Sequence, residues 1–295
     1  MIRLALIAWL ALCGVANAQL SGGLQFPGPG MAHSSGSGCA DANVIAWKAA
    51  VVTAGGTVSG GQETNVCTLV AALKAHSLWT IQDRIWLYAS ENAQQASIDI
   101  VNLATHTLVN APTFVANQGY TGNGSTSYIN TGFANGTNYT QNSAAWSYYV
   151  RTNRTGSNNY FSGSYDAGSF GTQSLFAPLA SSIVNYDVNN VAFSNQAANT
   201  QAQGFWTASR TGASAVALYR NSNSTAFATS SSSSLSLGAN VVFFVNARNN
   251  NGSPDLFGAD EIAIVAYGAG MSNTNTAQFQ ADLNAYMTAL GTNVY

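Results

Sequence analysis

From Phe114 to Tyr267 the chain is cut into short alternating runs, each bounded by Asn, Gly or Ser. This rhythm constrains the fold more than any other feature. In Ala144–Arg151, Trp146, Tyr148 and Val150 fall on one side. Val241–Arg248 places Val241, Phe243 and Val245 likewise. Runs at 182–194, 204–210, 215–221, 225–229 and 261–267 repeat the pattern. Alternation with a period of two is the mark of a half-buried strand, and many short strands at regular spacing predict an antiparallel β-sandwich. The series opens with Gly119–Phe133, GYTGNGSTSYINTGF. There Gly122-Asn123-Gly124 predicts a tight turn, because Gly and Asn tolerate positive φ, and Ser127–Thr131 a strand. The serine tract Ser230–Ser234 is expected as a solvated hairpin loop.

The period changes upstream. Asp41–Ala54 predicts a helix: Asp41 caps it, Val44, Trp47 and Val51 share a face, and Gly55-Gly56 stop it. Thr64–His76 predicts a second, with Val66, Leu69, Val70 and Leu73 at helical spacing. The pair reads as a helical hairpin joined by Gly55–Gly61, and Ile81–Tyr88 as a connecting strand. The chain closes on a helix at Thr274–Leu290, with Phe279, Leu283, Tyr286 and Leu290 in one stripe.

Charged residues are only 7% of the 295, against about a quarter in a typical soluble domain. The 46% hydrophobic content still supports a large core. A net charge of −2 without a basic run leaves no electrostatic footprint for nucleic acid. Residues 1–18 read as a signal peptide. Arg3 precedes the apolar run Leu4–Val15, and Ala16-Asn17-Ala18 offers a cleavage site before Gln19. Residues 19–40 read as a Gly/Ser/Pro-rich linker, 41–110 as the hairpin with its connecting strand, and 111–295 as the β domain. No later stretch is apolar enough to span a bilayer. The expected location is therefore secreted or periplasmic. Cleavage would leave Cys39 and Cys67, which can form one disulfide in an oxidising compartment or remain two buried thiols.

Three segments together resemble the concanavalin A-like lectin/glucanase superfamily in its laminin-G-like branch. Gly119–Phe133 resembles the opening strand. Phe205–Arg210 followed by Ala217–Asn221 resembles the paired central strands, although Asn221-Ser222 stands where Asn-Gly is usual. Gly258–Ala263 with the following helix resembles the closing strand and C-terminal helix. The resemblance covers about Ala111–Leu290 and implies a jelly roll. It also implies calcium at loop ends, for which Asp255, Asp166 and Asp187 are the candidates. DRIWLYASENAQQASIDIVN, with the stretch after it, is similar to uncharacterised bacterial and phage or prophage structural-region proteins. That similarity makes a virion appendage the alternative, and the export signal argues against it.

Catalysis has little to stand on in the sequence. The E-x-D-x-x-E pattern of the superfamily's glucanases is absent, and adjacent Asp260-Glu261 would point to opposite faces of a strand. There is no G-x-S-x-G elbow, C-x-x-C or H-x-x-x-H. The expectation is a non-catalytic module that binds a glycan or a cell-surface partner, with a glycoside hydrolase of unrecognised site as a further alternative. The 6 Trp and 13 Tyr supply stacking faces. Tyr160, Tyr165, Trp146 and Tyr186 are the candidate platforms, with the loop Asn153–Gly171 carrying the first two.

Overall fold

The computed structural model describes residues 38–134, 140–154, 160–165, 172–176, 183–236 and 242–295, with Tyr160 and Thr172–Phe176 described at the backbone. The signal-peptide and linker readings before residue 38 lie outside these residues. Ser37–Tyr295 is one compact unit, so the helical hairpin is not separable from the β domain.

Two sheets form a mainly antiparallel β-sandwich. The eight-stranded first sheet runs Ala228–Ser230, Ala215–Arg220, Gly204–Gly212, Ala144–Val150, Glu261–Gly268, Gly119–Thr121, Thr113–Val115. Its eighth strand, Gln82–Leu87, lies beside the second half of Glu261–Gly268, pairing Leu87 with Ile264 and Ile85 with Ala266. The nine-stranded second sheet runs Gln196–Ala198, Ile183–Asn190, Thr172–Phe176, Tyr160–Tyr165, Phe244–Val245, Tyr128–Asn130, Thr107–Val109. The hairpin Arg248–Asn250/Ser253–Asp255 joins it through a parallel pairing with Tyr160–Tyr165. Asn251-Gly252 turn that hairpin with positive φ at both residues (51° and 96°), which Asn and Gly accept.

The first sheet is buried on both faces, so its central strands read as continuous apolar runs. All seven residues of Ala144–Val150 are buried. Trp146, Tyr148 and Val150 enter the core between the sheets, with Trp86, Trp206, Val265 and Tyr267. Ala145 and Tyr149 enter a second core under the helices, with Phe205, Ala263 and Ala266. At the opening stretch, Gly119 has φ +128°, and a Cβ there would stand 2.1 Å from the Ile262 carbonyl oxygen. Only glycine permits that strand to pair so closely.

The described residues contain four α-helices. Helix α1 spans Ala42–Thr53, with the Asp41 carboxylate accepting from Asn43 N at 2.9 Å. Helix α2 spans Gly60–Ala75. It starts four residues before the expected Thr64, because the Ser59 hydroxyl accepts from Gln62 N at 3.1 Å and caps the glycines into the helix. Short α3 covers Ala93–Ser97, and α4 covers Asn273–Ala289. The stripes Val44, Trp47, Val51 of α1, Val66, Leu69, Val70, Leu73 of α2 and Phe279, Leu283, Met287 of α4 pack on the first sheet. Tyr286 binds the layers together: it accepts from Gln62 Nε2 at 2.7 Å and donates to the Ala89 carbonyl at 2.7 Å. Cys39, just before α1, is disulfide-bonded to Cys67 in α2, with Cα atoms 5.8 Å apart.

Candidate functional site: a hydroxyl-lined cleft at the sheet edge

The aromatic platforms expected from the sequence divide. Trp146 is 0% exposed and Tyr186 2%, both inside the sandwich core. They are corrected to packing residues, because strand alternation does not say which side faces water. Tyr165 is half-buried, with the Arg248 guanidinium 5.4 Å from its ring centroid. Tyr160 opens the strand Tyr160–Tyr165, and its side chain lies outside the described residues. The expected loop Asn153–Gly171 is thus not wholly a loop, since that strand pairs with Phe244–Val245 and Thr172–Phe176.

Two of the calcium candidates are engaged in hydrogen bonds or an ion pair. Asp187 is fully buried and holds a turn: it accepts from Phe193 N at 2.7 Å, and from Asn195 N and Asn190 Nδ2 at 3.0 Å each. Burial pushes its carboxyl up to about 7, against the opposing pull of these donors. Asp255 is gripped by Arg248, with Nη2 2.6 Å from Oδ2, and by Asn250. Hydrogen-bond donors face both carboxylates. Asp166 lies outside the described residues. Among those residues no group of three His, Cys, Asp or Glu is arranged to hold a metal.

The other acids are equally committed. Asp260 is buried against Arg154, at 2.7 and 2.9 Å, and Glu261 pairs with Arg151 at 3.1 Å. Asp41 pairs with Lys74, Glu63 with Lys48 and Asp83 with Arg84. Asp282 meets His76. Asp99 accepts three backbone N–H groups, and Glu91 accepts from Ser59 and Gln95.

A different place is open. Helix α4 covers the first sheet only as far as Tyr219, leaving the outer half of Ala215–Arg220 and the edge strand Ala228–Ser230 bare. The result is a cleft of about 550 Å³. Alternation decides its lining. Val216 and Leu218 point into the sandwich core, so Ala215, Ala217 and Tyr219 face the cleft, with Thr229 opposite Ala217. Ser209 sits on the floor, where it donates to the Met271 carbonyl at 2.9 Å and accepts from Met271 N at 2.8 Å. Tyr219 donates to Asn273 Oδ1 at the start of α4, and burial raises its pKa. Gly270 allows this crossing, since a Cβ there would lie 1.9 Å from the Arg210 carbonyl oxygen. Thr211, Ser214, Thr229 and Ser231 are exposed along the walls. Eight of the thirteen lining residues carry hydroxyls and none is charged.

The serine tract is not a loose hairpin loop. Arg210 is fully buried, and its guanidinium donates to the carbonyls of Val188 at 2.7 Å, Ala213 at 3.0 Å and Ser232 at 3.0 Å. Ser234 N donates to the Ala213 carbonyl at 2.8 Å. One buried cation therefore fixes both walls of the cleft. No local sequence signal marks this site, because it is assembled from a hairpin, a serine tract and a helix start far apart in the chain.

No protein-family profile matches the sequence, and no curated protein matches it. Solved structures do. A mutant of Trypanosoma rangeli sialidase displaying trans-sialidase activity aligns over 77% of this chain and 40% of its own, at 12% identity and TM-score 0.49. Domain 4 of AbnA, a GH43 extracellular arabinanase from Geobacillus stearothermophilus, in complex with arabinotriose, aligns over 68% and 98%, at 13% and 0.43. A mutant of HCR/D aligns over 70% and 54%, at 11% and 0.51. The HCR/D likeness shows a shared β-sandwich fold and nothing of function. This chain spans about 40% of the length of the sialidase it matches. The virion reading gains no support from these matches.

Proposed function

We propose that the protein is a non-catalytic recognition module for neutral carbohydrate, on a concanavalin A-like jelly roll of the laminin-G-like kind. The observation that carries this reading is the cleft, open and rich in hydroxyls, with no charge among its lining residues. A neutral polyol is bound by exchange of hydroxyl hydrogen bonds and by contact with apolar and aromatic surface. Ser214, Thr229 and Ser231 offer the first, and Ala217, Met271 and Tyr219 the second. An anionic ligand would meet no cation there, since Arg210 spends its donors on carbonyls. The absence of a catalytic role is supported by the prior engagement of every described carboxylate. An exported setting is supported by the Cys39–Cys67 disulfide.

Calorimetry against neutral gluco-, manno- and arabino-oligosaccharides tests the proposal, with wild type beside Ala217→Trp. The indole should fill the cleft and abolish binding while the melting temperature stays within a few degrees. Equal binding by the variant, no binding by wild type, or release of reducing ends from any oligosaccharide would overturn it.

A further inference from the structure

Among the described residues, Arg220 is a cation left without a counter-charge. Lys48, Lys74, Arg84, Arg151, Arg154 and Arg248 each face a carboxylate, and Arg210 bonds carbonyls instead. Arg220 ends the strand Ala215–Arg220. Its Nη2 donates to Gln201 Oε1 at 2.9 Å and to the Gln203 carbonyl at 2.6 Å. Its Nε is buried with no hydrogen-bond partner, while Nη1 opens to solvent and meets no protein acceptor. Burial lowers its pKa, with no acid to oppose the effect. Taking a guanidinium out of water without a counter-ion is costly.

The cation is held in place all the same. Its guanidinium lies over Trp206, 4.8 Å from the ring centroid, and that indole is fixed by donating to the Ala202 carbonyl at 2.8 Å. Gly204 has φ +131°, and a Cβ there would stand 3.1 Å from Arg220 Nε, so the backbone closes in on that side. Alternation puts Arg220 on the face of Val216 and Leu218, opposite to Tyr219 and the cleft. Phe227 meets the same indole edge-on, with centroids 5.4 Å apart, and is 41% exposed. Gln201, bonded to Arg220, is exposed as well. A guanidinium donor suits a carboxylate. An exposed ring and an amide suit the C–H face and the hydroxyls of a sugar. A uronic acid residue carries both sets of groups on one ring. An acidic peptide side chain would engage Arg220 and leave Phe227 idle.

We propose that Arg220 and Phe227 form a subsite for a uronic acid residue of a saccharide, the carboxylate accepting from Arg220 Nη1 and the sugar ring lying against Phe227. This inference rests on the carbohydrate reading above for its choice of a sugar, but not on the cleft. Calorimetry compares tri-galacturonate with its methyl ester, which keeps the rings and removes the charge. Wild type should bind the acid about tenfold more tightly than the ester, a result that needs no variant. Arg220→Met should erase that preference. Because it also removes packing from Trp206, Phe227→Ala gives an independent reading: it should weaken the acid about fivefold with little change in melting temperature. Equal binding of acid and ester, no binding of the acid, or wild-type affinity for it in either variant would overturn the subsite. Equal binding of hexaglutamate would overturn it in favour of an acidic peptide. Wild type that binds neutral oligosaccharides but not tri-galacturonate would sink this subsite and leave the cleft standing. The reverse result would sink the cleft and leave the subsite.

Discussion

The two cores of this molecule share one sheet and treat several of their tyrosines in opposite ways, although Tyr267 between the sheets does meet the Ser162 hydroxyl at 3.2 Å. Under the helices, Tyr286 is bonded to Gln62 and Ala89, Tyr149 donates to Asn284 at 2.9 Å, and Tyr219 reaches Asn273. Each hydroxyl finds a partner on a helix or a neighbouring loop. Between the sheets, Tyr88, Tyr120 and His106 form a mutual edge-on trio, with centroids 5.3 to 5.5 Å apart. Their hydroxyls and both ring nitrogens are buried with no hydrogen-bond partner. Burial pushes the Tyr120 hydroxyl up to about 12 and the His106 imidazole down to about 4. The helix layer brings polar side chains to the boundary of its core. The sandwich interior brings aromatic edges and pays for it in unsatisfied polar groups.

The largest expected effect breaks the helix side. Replacing Cys39 and Cys67 with alanine opens a loop of 28 residues. The chain-entropy model puts the loss at roughly 3.6 kcal/mol. Urea titration should show helix circular dichroism and tyrosine signals lost together at a lower midpoint, because the two cores share a sheet. An unchanged midpoint in the double variant would mean the disulfide does not hold that layer.

His106 gives the next effect, on the sandwich side. The unfolded chain takes up a proton on this residue near pH 6.5 and the folded chain only near 4. Acidification through that window therefore favours unfolding, and stability is lost as pH falls. Between pH 7.5 and 5 wild type should lose about 2 kcal/mol relative to His106→Phe. The comparison must be made as a difference, because Asp187 acts in the reverse sense: its raised pKa favours the folded state as pH falls from 7 toward 3.8. A difference that stays flat with pH would place the imidazole in water.

Tyrosine-to-phenylalanine exchanges sharpen the contrast directly. Tyr286→Phe strands the Gln62 amide and the Ala89 carbonyl and should cost about 1.5 kcal/mol by thermal unfolding. Tyr88→Phe removes a hydroxyl that has no partner, so stability should hold or rise by up to about 1 kcal/mol. A comparable loss in Tyr88→Phe would reveal ordered water between the sheets and erase the distinction.

Elements that bury a regular face could be read from the sequence. Helix α1 carries its cap Asp41 and its stripe Val44, Trp47, Val51 in one window, and Ala144–Val150 shows its strand alternation openly. Strands of three residues, such as Thr107–Val109 and Thr113–Val115, are too short for any period to appear. Tyr160–Tyr165 hides in a Gly/Ser context because its pairing is supplied from afar, by Phe244 and Val245. The run expected across Val241–Arg248 is broken at Asn246, whose φ of +59° ends one strand before Arg248 begins another. The candidate site was harder still. Alternation groups Trp146, Tyr148 and Val150 on one face, but which face meets water depends on a second sheet. The cleft depends on where α4 stops covering the first sheet, and that is a property of tertiary packing alone.

The strand Glu261–Gly268 has Ala144–Val150 along one edge, with Gly119–Thr121 and Gln82–Leu87 sharing the other. It is thus the keystone for segments that begin at residue 82, yet it is made almost last. During synthesis, neither Gln82–Leu87 nor Gly119–Thr121 can find its place in the first sheet until residue 268 has left the ribosome. Long-range pairings of this kind fold slowly. Local pieces such as Thr113–Val115 with Gly119–Thr121 can pair early, but the first sheet closes only in this one late step.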